Sequence, residues 1–251
     1  MRCSAMRRPM ASVPSFQVII TMEPSGRALV CPAPSSAPVL AYAFEEMPYA
    51  TQFVDSSGHA NDDAVCYGGD CPTVGVAGVG VLGNEFANSG VPPTSDRALL
   101  LDGLDDEIWF TAPVHEAFTL AFWFKPDPSQ THNGQTWSQG TPLLWAITGD
   151  SYKDFGISLG DQNRLYFGVG ALSMNSAPVS MGQWHQVAVT RRSDTGQLIL
   201  YLDGVAQIGG SAGTTAMANG PTLVLGVSSN KHFEGAIDFL TALAIALKPD
   251  S

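Results

Sequence analysis

The chain has 251 residues, 45% of them apolar and 14% charged, with 26 glycines and 17 prolines. This suits one large domain with a tail, or two small ones, built from many short strands and turns. A net charge of −11 argues against nucleic acid and anionic membrane surfaces as partners, since both would repel the protein.

In chain order, residues 1–37 read as a disordered leader or linker. Arg2, Arg7 and Arg8 make a basic start, but the apolar stretch 16–22 is short and Glu23 ends it, so no working export signal is evident. The segment 32–38 is rich in Pro, Ser and Ala, and the folded domain is expected over 38–249. Residues 39–44 put Leu40, Tyr42 and Phe44 on one face of a half-buried strand. Residues 51–98 hold little periodicity and many Gly, Asp, Asn and Pro, the composition of a long irregular loop.

From residue 98 strands follow closely. They are expected at 98–101, 107–110, 118–125, 143–147, 155–159, 164–169, 183–190, 197–202, 205–208, 223–226 and 236–247. Asp203-Gly204 predicts a type I′ hairpin turn, which needs positive φ at both central residues. Helical periodicity is absent, although the composition of 242–247 suits helix and strand alike. Turn signals recur every roughly 8–15 residues, the pattern of a sandwich or barrel. No apolar run approaches the roughly 20 residues a membrane span requires.

Of the four cysteines, Cys66 and Cys71 enclose Tyr-Gly-Gly-Asp. The two glycines let the chain turn back, so a short-loop disulfide is sterically reasonable and would imply an oxidising compartment. The alternatives are two free thiols, or a zinc site, which has no second Cys or His pair at ligand spacing.

Several segments carry a family resemblance in their order along the chain. These are Ala43-Phe44-Glu45-Glu46, Asp55-Ser56-Ser57-Gly58-His59-Ala60-Asn61, the cysteine-bearing loop 66–78 and Leu101-Asp102-Gly103-Leu104-Asp105-Asp106. They continue with 118–126, Gly182-Gln183-Trp184-His185-Gln186-Val187-Ala188-Val189-Thr190, Leu200-Tyr201-Leu202-Asp203-Gly204 and Phe233-Glu234-Gly235-Ala236-Ile237-Asp238. Together they resemble the laminin-G-like jelly-roll domains of bacterial surface and secreted proteins. The resemblance implies an all-β, antiparallel two-sheet jelly-roll β-sandwich of the concanavalin A-like kind. It also implies an extracellular or cell-surface recognition module, not an enzyme, whose partner is a glycan or a cell-surface protein. The sequence departs from the family at Phe239, where a second acidic residue is usual, and at Thr241 and Leu243, which replace an Arg-x-Tyr pattern.

The resemblance further implies a structural calcium ion. Asp55 and Asp238 match its carboxylates, and Asn61, the Gly58 carbonyl and Glu46 could add oxygens to the about 6–8 that calcium takes. The alternative is that Asp55 caps its turn through Ser57 and Asp238 accepts from a backbone amide. Asp102, Asp105 and Asp106 read as shaping a turn, and Trp123 and Trp184 as packing residues. Trp137, Tyr152 and Phe155 are candidates for stacking on a sugar, with loop anchoring as the alternative. No catalytic pattern stands out. His-Glu-x-x-His and Gly-x-Ser-x-Gly are absent. Glu234-Gly235-Ala236-Ile237-Asp238 has the wrong spacing for the paired acids of a sandwich glycosidase.

Overall fold

The computed structural model describes residues 38–59, 61, 63–66, 71–78, 97–214 and 220–246. The expectation for residues 1–37 lies outside them. The first strands are β1 (Leu40–Tyr42), β2 (Gln52–Phe53), β3 (Ala64–Val65), β4 (Thr73–Ala77), β5 (Arg97–Asp102) and β6 (Ile108–Thr111). The middle of the chain forms β7 (Phe118–Pro126), β8 (Thr141–Ile147), β9 (Phe155–Gly160), β10 (Arg164–Val169), β11 (Leu172–Pro178) and β12 (His185–Arg191). Then come β13 (Gln197–Leu202), β14 (Val205–Ser211), β15 (Thr222–Leu225), β16 (Val227–Ser228), β17 (Lys231–His232) and β18 (Glu234–Leu243). Among the described residues the helical content is one 3-10 turn at Asp161–Asn163, and no helix is long and apolar enough to cross a membrane.

The strands build two antiparallel sheets. The first runs β14–β13–β12–β7–β18–β5–β4, with β1 also paired to β18; the second runs β11–β10–β9–β8–β15–β6–β3–β2. Period-2 alternation places the core. On β7, Phe118, Leu120, Phe122 and Phe124 are buried. Their neighbours on β12 are Val187, opposite Phe122, and Val189, opposite Leu120, with Leu202 and Leu200 of β13 next in each row. The second sheet answers with Phe155, Ile157 and Leu159 of β9 and Leu165, Phe167 and Val169 of β10. Each such side chain contributes about 1.5–3 kcal/mol on burial, so these facing rows make the sandwich.

β18 sits centrally in the first sheet and has two neighbours on one side. It pairs with β5 through Glu234–Ile237 and with β1 through Leu240–Ala242. A bulge against β7 between Asp238 and Thr241 marks the change, with Phe239 at φ 47°. Two expectations are corrected here, and one open alternative is decided. The supposed loop 51–98 contains β2, β3 and β4. Two-residue strands offer no period to read, and β4 is broken by a bulge between Val74 and Val76. The composition of 242–247 suits helix and strand alike, and the strand reading holds at its start, where β18 continues through Leu243. Phe155, taken as a sugar-stacking candidate, is 1% exposed and stacks on Phe118 across the core with ring centroids 5.2 Å apart.

Between β13 and β14, Asp203 and Gly204 have φ of 49° and 76°, as the hairpin turn requires. Asp203 Oδ1 accepts from the Gln186 amide at 2.8 Å, and Oδ2 lies 2.8 Å from His185 Nδ1. His185 Nε2 lies 3.0 Å from the Ser180 carbonyl oxygen. Burial lowers the imidazole pKa, but the hydrogen bond and charge of Asp203, with the Ser180 backbone, outweigh it and leave the value raised. A raised folded-state pKa gives stabilisation that is complete below the unfolded value of about 6.5 and is lost as pH climbs through the folded-state value. The melting temperature of the wild type should therefore fall from about pH 6 to about pH 8 more steeply than that of Asp203→Asn. Parallel slopes for the two proteins in calorimetry would remove this ion pair from the account.

Candidate functional site

The outward positions of β9 and β10 are unusually bare. Phe155, Ile157 and Leu159 point inward, leaving Gly156, Ser158 and Gly160 outside; on β10 the outside positions are Arg164, Tyr166 and Gly168. Gly156 and Gly168 face each other in register, and Gly156 also faces Trp145 of β8. Trp137, from the loop joining β7 and β8, lies in this gap. A Cβ on Gly156 would come 2.9 Å from Trp137 Cε3, and one on Gly168 would overlap both the indole and the Leu172 carbonyl oxygen. The Trp137 backbone amide donates to Ser173 Oγ at 2.9 Å, Nε1 donates to the Gly170 carbonyl at 3.0 Å, and the ring centroid is 4.6 Å from that of Trp145. At 3% exposure Trp137 is the loop's anchor and has no face left for a ligand.

So anchored, the loop passes over the ends of β9 and β10. Gly134 and Asp161 bind each other twice: the Gly134 amide donates to Asp161 Oδ1 and the Asp161 amide to the Gly134 carbonyl, both at 2.9 Å. Gln135 Nε2 donates to Asp161 Oδ2 at 3.1 Å. Between the loop, the 161–163 turn and the strands lies an open cleft of about 300 Å³, lined by Gln135, Asp161, Gln162, Arg164, Tyr166 and Asn175. Tyr166 and Asn175 are register partners on its floor. Gln162 and Asn163 at its rim have φ of 59° and 54°, a left-handed pair costly for a glutamine and held by the bonds around it. Arg164 is pinned on one side, with Nε donating to Gln162 Oε1 at 3.3 Å and Nη1 to the Ser176 carbonyl at 2.6 Å.

None of these lining residues was singled out from the sequence. Their signal was the outward phase of β10, Arg164-x-Tyr166, beside a strand with glycine at two of its three outward positions. Tyr152 is 83% exposed and stands at the other end of these strands, where its backbone packs beside Gly170.

The residues expected around calcium are partly brought together. Asp55 Oδ1 accepts from the amides of Ala41 (2.8 Å) and Ser57 (3.0 Å), and Oδ2 from Ser57 Oγ and Asn61 Nδ2 (both 2.7 Å). Burial raises the Asp55 pKa, but these donors outweigh it and hold the carboxyl below its ordinary value. Asn61 Nδ2 also donates to the Val39 carbonyl at 2.6 Å. Its NH₂ group thus faces two acceptors, and the amide oxygen is turned away from Asp55. Glu46 Oε1 accepts from the Val54 amide at 3.0 Å, and Gly58 takes the turn at φ 83°. Asp238 is fully buried at the β18 bulge, where Oδ1 accepts from the Phe239 amide at 2.8 Å. Asp102, Asp105 and Asp106 bring carboxylate oxygens within 4.8 Å of one another. Two of them tie the β5–β6 turn, Asp106 Oδ2 accepting from the Asp102 amide and Asp102 Oδ1 from that of Leu104. Cys66 and Cys71 are joined as a disulfide.

If the bare glycine floor holds the Trp137 loop in place, Gly168→Ala should cost about 1–3 kcal/mol, as overpacked sites do. The near-ultraviolet circular dichroism of the Trp137–Trp145 pair should collapse with it. A variant with unchanged melting temperature and unchanged aromatic signal would contradict this arrangement.

Comparisons with known proteins agree with the architecture. Over 141 residues the chain is 33% identical to the mouse "Sushi, von Willebrand factor type A, EGF and pentraxin domain-containing protein 1", a match covering 55% of this chain but 4% of that much longer protein. Domain 4 of AbnA, a GH43 extracellular arabinanase of Geobacillus stearothermophilus solved with arabinotriose, superposes with a TM-score of 0.58 at 19% identity, covering 85% of this chain and 95% of that one. The ligand-binding domain of botulinum neurotoxin serotype D, solved with N-acetylneuraminic acid, gives 0.57 at 14% identity, covering 84% and 48%. At these identities the two structures speak for the fold alone. The Laminin_G_3 family model, described as concanavalin A-like lectin/glucanases superfamily, matches residues 104–251, and the chain belongs to that family.

Proposed function

We propose that this chain is a non-catalytic extracellular recognition module that binds carbohydrate in the cleft between Gln135, Asp161 and the outer faces of β10 and β11. The observation that carries this reading is the cleft's chemistry. Its lining offers amides, a phenol ring, a guanidinium and one carboxylate, and both oxygens of that carboxylate already accept hydrogen bonds from the 134–135 loop. Such groups bind hydroxyls, whereas glycoside hydrolysis ordinarily needs two carboxyl groups about 5–9.5 Å apart, one of them free to move a proton. The saccharides held by the arabinanase domain and the neurotoxin domain support the sugar reading over a protein ligand. The disulfide and the domain content of the mouse protein's name support an extracellular setting.

A glycan array probed with the full chain tests this. Retention of a saccharide is expected, with loss of binding but an unchanged melting temperature in Asn175→Ala. Release of reducing ends from a bound glycan would convert the reading to the enzyme alternative, and an array with no retained glycan would remove it.

Calcium belongs to the proposal as a structural ion, on the strength of the family resemblance. The orientation of Asn61 weighs against a cation at Asp55, since it presents N–H groups where an ion needs oxygen. An ion bound by the folded state alone would raise the melting temperature by linkage, about 2.7 kcal/mol of stability at a hundredfold excess over Kd. Melts in calcium chloride and in chelator are expected to differ, with the difference lost in Asp238→Asn. Identical wild-type midpoints would delete calcium from the proposal.

A further inference from the structure

The cleft contains a cation, Arg164, that has no ion-pair partner among the described residues, in a chain with 23 acidic and 12 basic residues. The neighbouring carboxylate, Asp161, is turned to the 134–135 loop and engaged there. Two protein acceptors, Gln162 Oε1 and the Ser176 carbonyl, hold Nε and Nη1. They fix the guanidinium plane and leave the Nη2 donors without an acceptor among the described residues. A planar guanidinium immobilised in this way recognises carboxylate geometry with little further loss of side-chain entropy. Around it, Gln135, Asn175 and the Tyr166 ring offer the donors, acceptors and apolar edge that a sugar ring uses.

Resting on the carbohydrate reading above, we infer that this cleft selects saccharides bearing a carboxylate, a uronic- or sialic-type sugar whose carboxylate meets Arg164. The chain's net charge of −11 repels polyanions at long range. The ligand is therefore an isolated acidic sugar in an otherwise neutral glycan, and densely charged chains such as sulfated glycosaminoglycans are disfavoured.

The test is calorimetric titration of the full chain with an oligosaccharide containing one hexuronic or sialic acid, and with its carboxyl-reduced neutral counterpart. Sodium acetate serves as a free-carboxylate control. Wild type should favour the acidic sugar by about 10- to 100-fold, the range expected for hydrogen bonds to a charged group. The preference should weaken with added salt. Arg164→Gln should bind the two sugars equally, and Arg164→Lys, which keeps charge but not the fork, should recover only part of the preference. Melting temperatures of both variants control for folding. Equal wild-type affinity for the two sugars, or a preference that survives Arg164→Gln, overturns this inference while leaving the carbohydrate reading intact. Failure of every sugar to bind overturns that reading as well. Acetate binding as tightly as the acidic sugar would reduce the cleft to a bare anion site and overturn the sugar specificity.

Discussion

The outer face of the second sheet depends on the lack of side chains at Gly156 and Gly168. An indole ring can lie against a pleated strand only where the facing positions carry no Cβ. Because these two do not, Trp137 packs on the backbone, bonds Ser173 and Gly170, and abuts Trp145. That fixes the middle of a loop that would otherwise cross the sheet freely. The loop's earlier residues, Gly134 and Gln135, then reach the Asp161 turn and close one wall of the cleft. The site is thus built on the rigid part of the molecule although one wall is loop.

The acidity of the chain acquires a local meaning in this structure. Asp55, Asp102, Asp106, Asp154, Asp161 and Asp203 all use a carboxylate oxygen to accept from a backbone amide at or near a turn. A carboxylate satisfies buried or half-buried N–H groups more strongly than a neutral acceptor does. A sandwich with this many irregular connections has many such groups. Part of the negative charge is therefore a consequence of how the loops are held. It leaves Arg164, outside any ion pair among the described residues, as an exception to the prevailing sign.

Much of the fold was legible because the large strands alternate cleanly. Phe118-Thr-Leu-Ala-Phe-Trp-Phe gives its inward face directly, the spans 164–169 and 197–202 match β10 and β13, and Asp203-Gly204 forms the expected turn. What escaped detection lacked a period. The strands β2 and β3 are two residues long, and β11, Leu-Ser-Met-Asn-Ser-Ala-Pro, reads as a polar loop until its pairing with β10 is known. The site was harder still. Aromatic residues in polar surroundings drew attention to Trp137 and Tyr152, and Phe155 was grouped with them, yet Trp137 anchors a loop and Phe155 lies in the core. Which side of a strand faces outward follows from the pairing of sheets, and that phase is what selects Arg164, Tyr166 and Asn175.

The placement of β18 has a consequence for the order in which this protein can be made. β18 is the last strand described, and it lies between β7 on one side and β5 and β1 on the other. During synthesis the amino-terminal strands emerge first but cannot join the first sheet until residues 234–243 leave the ribosome. Until then β1 has no partner strand in this sheet, and β5 and β7 each keep one unpaired edge. Pairing residues 40–42 with 240–242 closes nearly the whole domain as one loop, the kind of long-range contact that slows folding. Completion of the first sheet therefore waits for the last of these strands. A chain awaiting its final strand presents the sticky sheet edges that holding chaperones cover.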